Sequence, residues 1–286
     1  MTARDRVLVV TVTYDSGEHL EAFLASVPAS TTADVTLVVA DNGSTDGAPQ
    51  AALAAHPELH LVHLPHNPGY GGAVNAATQR HGRDVDWILV ANPDTVLAPG
   101  SVDALLDEVQ DRSDVGAAGP AITDAGGVPY PSARRFPSLV AGTGHALFAA
   151  LWPRNPWSEA YLMARTGDEA RDVDWLSGAC LLLRRRAFDQ VGGFDEGYFM
   201  YFEDVDLSLR LSEVGWRRRY VPSSRIVHTG AHSTSLRRAA MVRAHHDSAA
   251  RYVAARHPGL LAAPLRGLVR LGLTVRAKLV AGRSDP

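Results

Sequence analysis

Near-continuous runs of Val, Ile, Leu and Ala recur through the first hundred residues and alternate with stretches that read as helices. Val7–Thr13, Val35–Ala40 and Trp87–Ala91 are too short for core helices and lack the polar alternation of a half-exposed sheet. With Leu59–Leu64 as a further strand, and Glu18–Val27, Ala48–Ala55 and Ala73–Arg80 as helices, the pattern predicts βαβ units and a parallel sheet covered on both faces.

The links from strand to helix are polar and rich in glycine: Asp41-Asn42-Gly43-Ser44-Thr45-Asp46, Asn67-Pro68-Gly69-Tyr70-Gly71-Gly72, and Asn92-Pro93-Asp94. Ligands of open α/β sheets sit at the carboxyl ends of the strands, where Asp41, Asn92 and Asp94 are expected. Beyond residue 115 the rhythm loosens. Strands are predicted at Val115–Ile122, Trp175–Leu183 and Arg219–Val221, and helices at Ser138–Leu151, Arg186–Val191 and Asp204–Val214. Residues 152–172 read as a loop, and Ser235–Arg256 and Pro264–Val280 as two terminal helices.

At 286 residues, 46% hydrophobic and 21% charged, the composition excludes collagen-like and disordered chains. Cys180 is the single cysteine, which rules out an intrachain disulfide and a cysteine-based zinc site and fits a reducing compartment. Met1–Arg6 leads directly into Val7–Val10 with no apolar region and cleavage site behind it, so no signal peptide is expected. The longest apolar candidate for a membrane span, Leu139–Trp152, is too short and is interrupted by glycines and His145. Charge is unevenly placed: residues 1–206 hold 13 basic and 28 acidic side chains, a net −15, whereas residues 207–286 hold 15 and 3, a net +12. The basic part suggests an anionic partner such as a membrane surface. Nucleic acid is not expected, because no basic motif is interleaved with aromatics and the acidic portion would repel a duplex.

Several motifs carry chemistry. Asp41 either receives a base or ribose or forms a turn that caps the next helix through Ser44 or Asp46. The glycines at 69 and 71 either leave N–H groups open to a phosphate or make a tight connection. Asn92 and Asp94, two apart in an extended segment, point to one side and can share a cation on a diphosphate; an ordinary turn is the competing reading. Glu203-Asp204-Val205-Asp206 follows five residues of which four are aromatic, and suits either helix capping or a general base with a raised pKa, Asp204 before Glu203. His228 ends a strand and can complete a cation site. Arg134-Arg135, Arg184–Arg186 and Arg217–Arg219 are either solvated faces or the source of a fork for a diphosphate. The last predicted helix sets leucines and valines among arginines, as a helix lying on an anionic bilayer or docked on the core would.

Taken in order, these motifs, with Trp175-Leu176-Ser177-Gly178-Ala179 and Gly192-Gly193-Phe194-Asp195-Glu196, resemble the inverting GT-A glycosyltransferases of family 2. Tyr130-Pro131-Ser132-Ala133-Arg134, Trp152–Trp157 and His232-Ser233-Thr234 are similar to actinobacterial rhamnosyltransferases, which use dTDP-rhamnose and N-acetylglucosaminyl-diphospho-polyprenol in building the arabinogalactan linker. The resemblance implies a GT-A catalytic domain over 1–232, with a mixed, mostly parallel sheet, and a basic helical extension over 233–286. It implies nucleotide binding by Thr13, Tyr14, Asp41, Asn42, Gly69, Gly71 and Asn92. It places Trp175, Ser177 and Gly178 beside donor and acceptor, Mg²⁺ or Mn²⁺ on Asp94 and His228, and the base at Asp204 or Glu203. A cytoplasmic enzyme on the inner face of the cell membrane follows, as a monomer or homodimer. Another sugar donor, or a sugar-nucleotide-binding module without catalysis, remains the alternative.

Overall fold

The computed structural model describes residues 4–137, 168–230 and 238–281. The chain begins with β1 (Arg6–Thr13), α1 (Glu18–Ser30), β2 (Asp34–Asp41), α2 (Ala48–Ala55), β3 (His60–His63), α3 (Gly69–His81) and β4 (Trp87–Ala91). Next come β5 (Thr95–Leu97), α4 (Ser101–Val109), β6 (Val115–Thr123), β7 (Pro129–Tyr130) and β8 (Ala133–Arg134). From residue 168 onward lie β9 (Arg171–Val173), β10 (Trp175–Leu176), β11 (Cys180–Arg184), α5 (Arg185–Gln190), α6 (Glu203–Glu213) and β12 (Arg217–His228). Two final helices, α7 (Arg238–Arg256) and α8 (Ala263–Ala281), flank a 3₁₀ turn at Leu260–Ala262.

The main sheet has the order β3-β2-β1-β4-β11-β6-β12-β5. Strands β1 to β4 pair in parallel, β11 inserts antiparallel between β4 and β6, and β12 runs parallel to β6. The chain builds outward from β1 to β3 and then returns to place β4 on the other side of β1. This reversal makes the carboxyl ends of β1 and β4 the switch point where an open α/β sheet opens a crevice.

Both faces of β1 are buried. Val7 and Val9 join Phe23, Leu24 and Leu105 in one core, and Leu8 and Val10 join Val74, Ala77, Leu207 and Leu211 in the other. Burying each such side chain fully contributes about 1.5–3 kcal/mol, which fixes the strand register and hence where each strand ends.

Several elements differ from expectation. Helix α1 runs past Val27 to Ser30 with Pro28 inside it, where the proline has no N–H to offer the Leu24 carbonyl. The expected strand Trp175–Leu183 is two strands, because Ser177, Gly178 and Ala179 form a break between β10 and β11. The expected three-residue strand at Arg219–Val221 is a twelve-residue one, β12, whose arginines pair with Asp114, Asp172 and Glu108. Arg171 and Asp172 of the expected loop belong, with Val173, to a strand, while Ser138–Leu151 and the loop residues 152–167 lie outside the described residues.

Helix α3 starts at Gly69 instead of Ala73, with the glycines inside its first turn. Gly69 has φ +82°, and a Cβ there would collide with the Phe199 carbonyl. Gly69→Ala is therefore expected to lower the unfolding free energy by at least about 2 kcal/mol in urea titrations, the cost of a left-handed alanine with the collision added.

Candidate active site

The loops that follow β1 and β2 are laced together at the switch point. Ser44 Oγ accepts the Asp15 N–H (3.1 Å), Asp15 Oδ1 accepts the Thr45 N–H (2.7 Å), and Asp46 Oδ2 accepts the Gly17 N–H (2.8 Å). Asp46 also accepts the Ala48 N–H at 3.0 Å, and the N-cap of α2 is Gly47, so neither Ser44 nor Asp46 is the cap that was expected. Asp41 is completely buried, with one carboxylate oxygen on the Ser44 N–H (2.8 Å) and the other 2.9 Å from His63 Nδ1. In this arrangement the Asp41 carboxylate orients Ser44 and His63 at the end of β2. Thr13 is buried, with its hydroxyl on Ser16 Oγ. Asn42 is buried and donates to Gly69 O at 3.2 Å. Tyr14 stands half-buried at the end of β1.

Gly69 and Gly71 are closely packed. The Gly69 N–H goes to Asn67 Oδ1 and the Tyr70 N–H to Phe199 O, while a Cβ on Gly71 would stand 2.7 Å from Phe194 Cβ. Close packing on Phe194 and Phe199 leaves no room for a Cβ at either position.

Beyond β4 the chain turns: the Thr95 N–H and hydroxyl both donate to Asn92 O. Asn92 and Asp94 share a side through this turn, where an extended segment was expected. His228, at the end of β12, has Nε2 3.1 Å from Asp94 Oδ1 and 3.5 Å from Asn92 Nδ2. The three side chains form an oxygen- and nitrogen-donor set with one carboxylate. Such a set suits a divalent cation that completes its shell with phosphate oxygens. No cluster of three His, Cys, Asp or Glu exists among the described residues.

The break between β10 and β11 joins this turn to the acids of α6. The Asn92 N–H donates to Ala179 O (2.9 Å), and the Gly178 N–H donates to Asp204 Oδ2 (2.9 Å). Tyr70 Oη donates to Gly178 O at 2.8 Å. Burial, and then the charges of Glu203, Asp204 and Asp94, push the Tyr70 hydroxyl well above its ordinary pKa, so it stays a donor. One tyrosine thus lies within the field of both the Asp94 and Asp204 carboxylates. A Cβ at position 178 would lie 3.3 Å from Asp204 Cβ, which explains the glycine. Ser177 is buried with its N–H on Ser132 O, and Trp175 is half-buried with its Nε1–H on Arg135 O.

Helix α6 is entered through two non-glycine residues in the left-handed region, Tyr201 and Phe202, both at φ 67°. Each costs about 1–3 kcal/mol and needs its surroundings to hold it. The Phe202 ring packs against Tyr252 and His245 of α7, and the Tyr201 ring against His245. This entry presents the acids separately. Asp206 binds Arg210 Nε at 2.7 Å and is structural. Glu203 is buried, its Oε2 has no hydrogen bond among the described residues, and burial together with the Asp204 charge pushes its carboxyl up to about 8. Burial also raises Asp204, against the Gly178 and Val205 N–H groups and the charge of Arg134, which pull it down. A cavity of about 300 Å³ lined by Arg6, Arg80, Arg83 and Asp84 lies at the opposite end of the parallel strands and includes none of these groups.

Residues 4–246 match the family described as "Glycosyltransferase like family 2". The chain belongs to that family. This transferase is 48% identical to N-acetylglucosaminyl-diphospho-decaprenol L-rhamnosyltransferase of Mycobacterium tuberculosis, over 98% of its own length and 94% of the relative's. Its fold is that of GT-A enzymes. A mannosyltransferase from Pyrobaculum calidifontis solved with GDP-Man and Mn²⁺ superposes with a TM-score of 0.60 at 17% identity, covering 100% of this chain and 77% of that one. GalNAc-T7 solved with UDP, GalNAc and Mn²⁺ also gives 0.60, at 18% identity, over 79% of this chain and 43% of that one.

Sequence reasoning passed over Tyr70 and Tyr130. Tyr70 had a signal, being the one large side chain among the glycines that open a helix at the switch point. Tyr130, whose ring meets His228 edge-on at 5.9 Å, had none beyond its place in the Tyr-Pro-Ser-Ala-Arg segment.

The Glu203 carboxyl titrates near 4.5 in an unfolded chain and near 8 in the folded transferase. The folded state therefore holds the extra proton between those values, and stability present at low pH is lost as pH rises through the folded pKa. Glu203→Gln should match the wild-type melting temperature at pH 4.5 and exceed it by several degrees at pH 9, read by calorimetry.

Proposed function

We propose that this transferase moves L-rhamnose from dTDP-rhamnose onto an N-acetylglucosaminyl-diphospho-polyprenol, with inversion at the anomeric carbon, in synthesis of the cell-wall arabinogalactan linker. The observation that carries this reading is the 48% identity over nearly the whole length of both chains. The geometry supports it, because Asp94, His228 and Asn92 lie on one side of the Ser177–Ala179 break and Asp204 on the other.

Asp94 and His228, with Asn92 beside them, would hold a divalent cation, Mg²⁺ or Mn²⁺. Such an ion, when bound, supplies positive charge against the departing diphosphate. Thr13, Tyr14, Asp41, Asn42, Gly69, Gly71 and Asn92, at and beside the laced loops 14–17 and 42–47, receive the nucleotide. Trp175, Ser177 and Gly178 border the sugar and the acceptor. Asp204 takes the proton of the acceptor hydroxyl as its oxygen attacks the anomeric carbon from the face opposite the leaving dTDP. The Gly178 N–H fixes which carboxylate oxygen points back to the turn, leaving Asp204 aimed by the backbone instead of by a flexible side chain. Burial raises the carboxyls of both Glu203 and Asp204, while the Gly178 and Val205 N–H groups and the Arg134 charge pull Asp204 back down. A single displacement of this kind needs one base and no protein nucleophile.

The lipid acceptor fits a cytoplasmic protein resting on the inner face of the membrane. No helix among the described residues is long and apolar enough to cross one. However, Leu260 and Leu261 are almost fully exposed, and Leu268 and Leu271 are mostly so. They share the C-terminal region with exposed Arg270, while Arg266 turns back to donate to His257 O and Gly259 O. Leucines facing outward beside arginines match the apolar and anionic layers of a bilayer surface.

Two measurements test the reading. Asp204→Asn should cut kcat by about 100-fold or more while dTDP binding, followed by calorimetry, stays within about twofold; transfer at the wild-type rate would remove Asp204 as the base. In the full chain, replacing Leu260, Leu261, Leu268 and Leu271 by serine should weaken binding to anionic vesicles by about tenfold or more. Turnover of a short-chain, water-soluble acceptor should persist in that variant, and unchanged vesicle binding would refute the membrane face.

A further inference from the structure

Three arginine clusters stand out in the chain, and the structure gives most of their members a structural partner. Arg184 donates to the Val109 and Val115 carbonyls, Arg217 and Arg219 pair with Asp172, and Arg218 donates to the Asp174 and Trp216 carbonyls. Arg134 differs. It lies on β8, in register with Trp175 of β10, and its Nε donates to Pro131 O at 2.8 Å. Its guanidinium carbon stands 5.2 Å from the Trp175 ring centroid and 5.7 Å from that of Tyr130. No ion pair to it occurs among the described residues, although the side chain is half-buried.

Its position ties the two halves of the site together. Tyr130, under the guanidinium, meets the His228 ring edge-on, and the Arg134 charge reaches Asp204. A guanidinium pinned by two aromatic rings and one carbonyl has lost its rotamer freedom already, and its terminal nitrogens form a planar fork suited to phosphate oxygens. A carboxylate such as Asp94 would repel a diphosphate in the absence of a local cation.

We infer that Arg134 is a diphosphate-binding side chain of the cleft. The inference rests on the transferase reading for the two diphosphates that can meet it: the one leaving with the nucleotide, and the one joining the acceptor sugar to its lipid.

The test is calorimetric titration of the full-length wild type, Arg134→Gln and Arg134→Lys. The ligands are dTDP with Mn²⁺, N-acetylglucosaminyl-diphospho-farnesol, and an analogue carrying an ether in place of the diphosphate. For Arg134→Gln the expected result is a loss of about 10- to 100-fold in affinity for a diphosphate ligand, with binding of the ether analogue and the melting temperature unchanged. A loss confined to dTDP assigns the fork to the leaving group, and a loss confined to the lipid ligand assigns it to the acceptor. Arg134→Lys keeps the charge without the fork and should fall in between, which covers the case of a Gln variant that does not fold. Diphosphate affinities within twofold of wild type in a folded variant would overturn the inference. Should the wild type bind these ligands yet transfer no sugar, the proposed reaction fails and the binding site stands.

Discussion

Three consecutive peptide units, at Ser177, Gly178 and Ala179, couple the two chemical halves of this transferase. The Gly178 N–H holds Asp204, the Ala179 carbonyl holds the Asn92 N–H, and the Gly178 carbonyl takes the Tyr70 hydroxyl. None of these contacts depends on a long flexible side chain on the turn itself. Backbone hydrogen bonds of this kind are positioned by the strands on either side, and β10 and β11 are themselves anchored in sheets. Placing an acid with a peptide group is the cheapest way to preorganise it, since no rotamer must be frozen when substrate arrives.

What could be read from the sequence was set by burial. Strands β1, β2 and β4 are apolar on both faces because helices cover both, so their ends, and with them Asn92 and Asp94, were legible at once. The break at 177–179 was not, because Ser, Gly and Ala are compatible with a strand and only the pull of Asp204 and Asn92 on the backbone opens it. β12 was underestimated because its arginines look solvent-facing, whereas Arg219 is largely buried against Glu108 and Asp172. Asp41 and the glycines at 69 and 71 lie at the crevice as expected, and their contacts within the chain could not be read from the sequence. A carboxylate at a strand end and a glycine at a helix start carry the same letters whether they meet a ligand or another part of the chain.

The acids of α6 show how one short segment separates functions by environment. Asp206 has a guanidinium partner and belongs to the scaffold, Glu203 is buried with its Oε2 unbonded among the described residues and its carboxyl pushed up to about 8, and Asp204 accepts two N–H groups near the Arg134 charge. Adjacency alone says that these acids cannot all face one pocket, but not which surroundings each one meets. The division follows from the helical turn of about 100° per residue, which sends three neighbouring carboxylates into three different surroundings.

The aromatic contacts between α7 and the entry to α6 bear on where this polypeptide can be divided. A fragment ending at 232 keeps every strand of the sheet, yet loses Tyr252 and His245, the rings that brace two left-handed residues just ahead of the acid pair. Those residues would be free to relax into ordinary backbone geometry, and the helix behind them would begin at a different angle. The helical tail is thus a buttress as much as an appendage, and recombinant work on the catalytic portion has to carry it along.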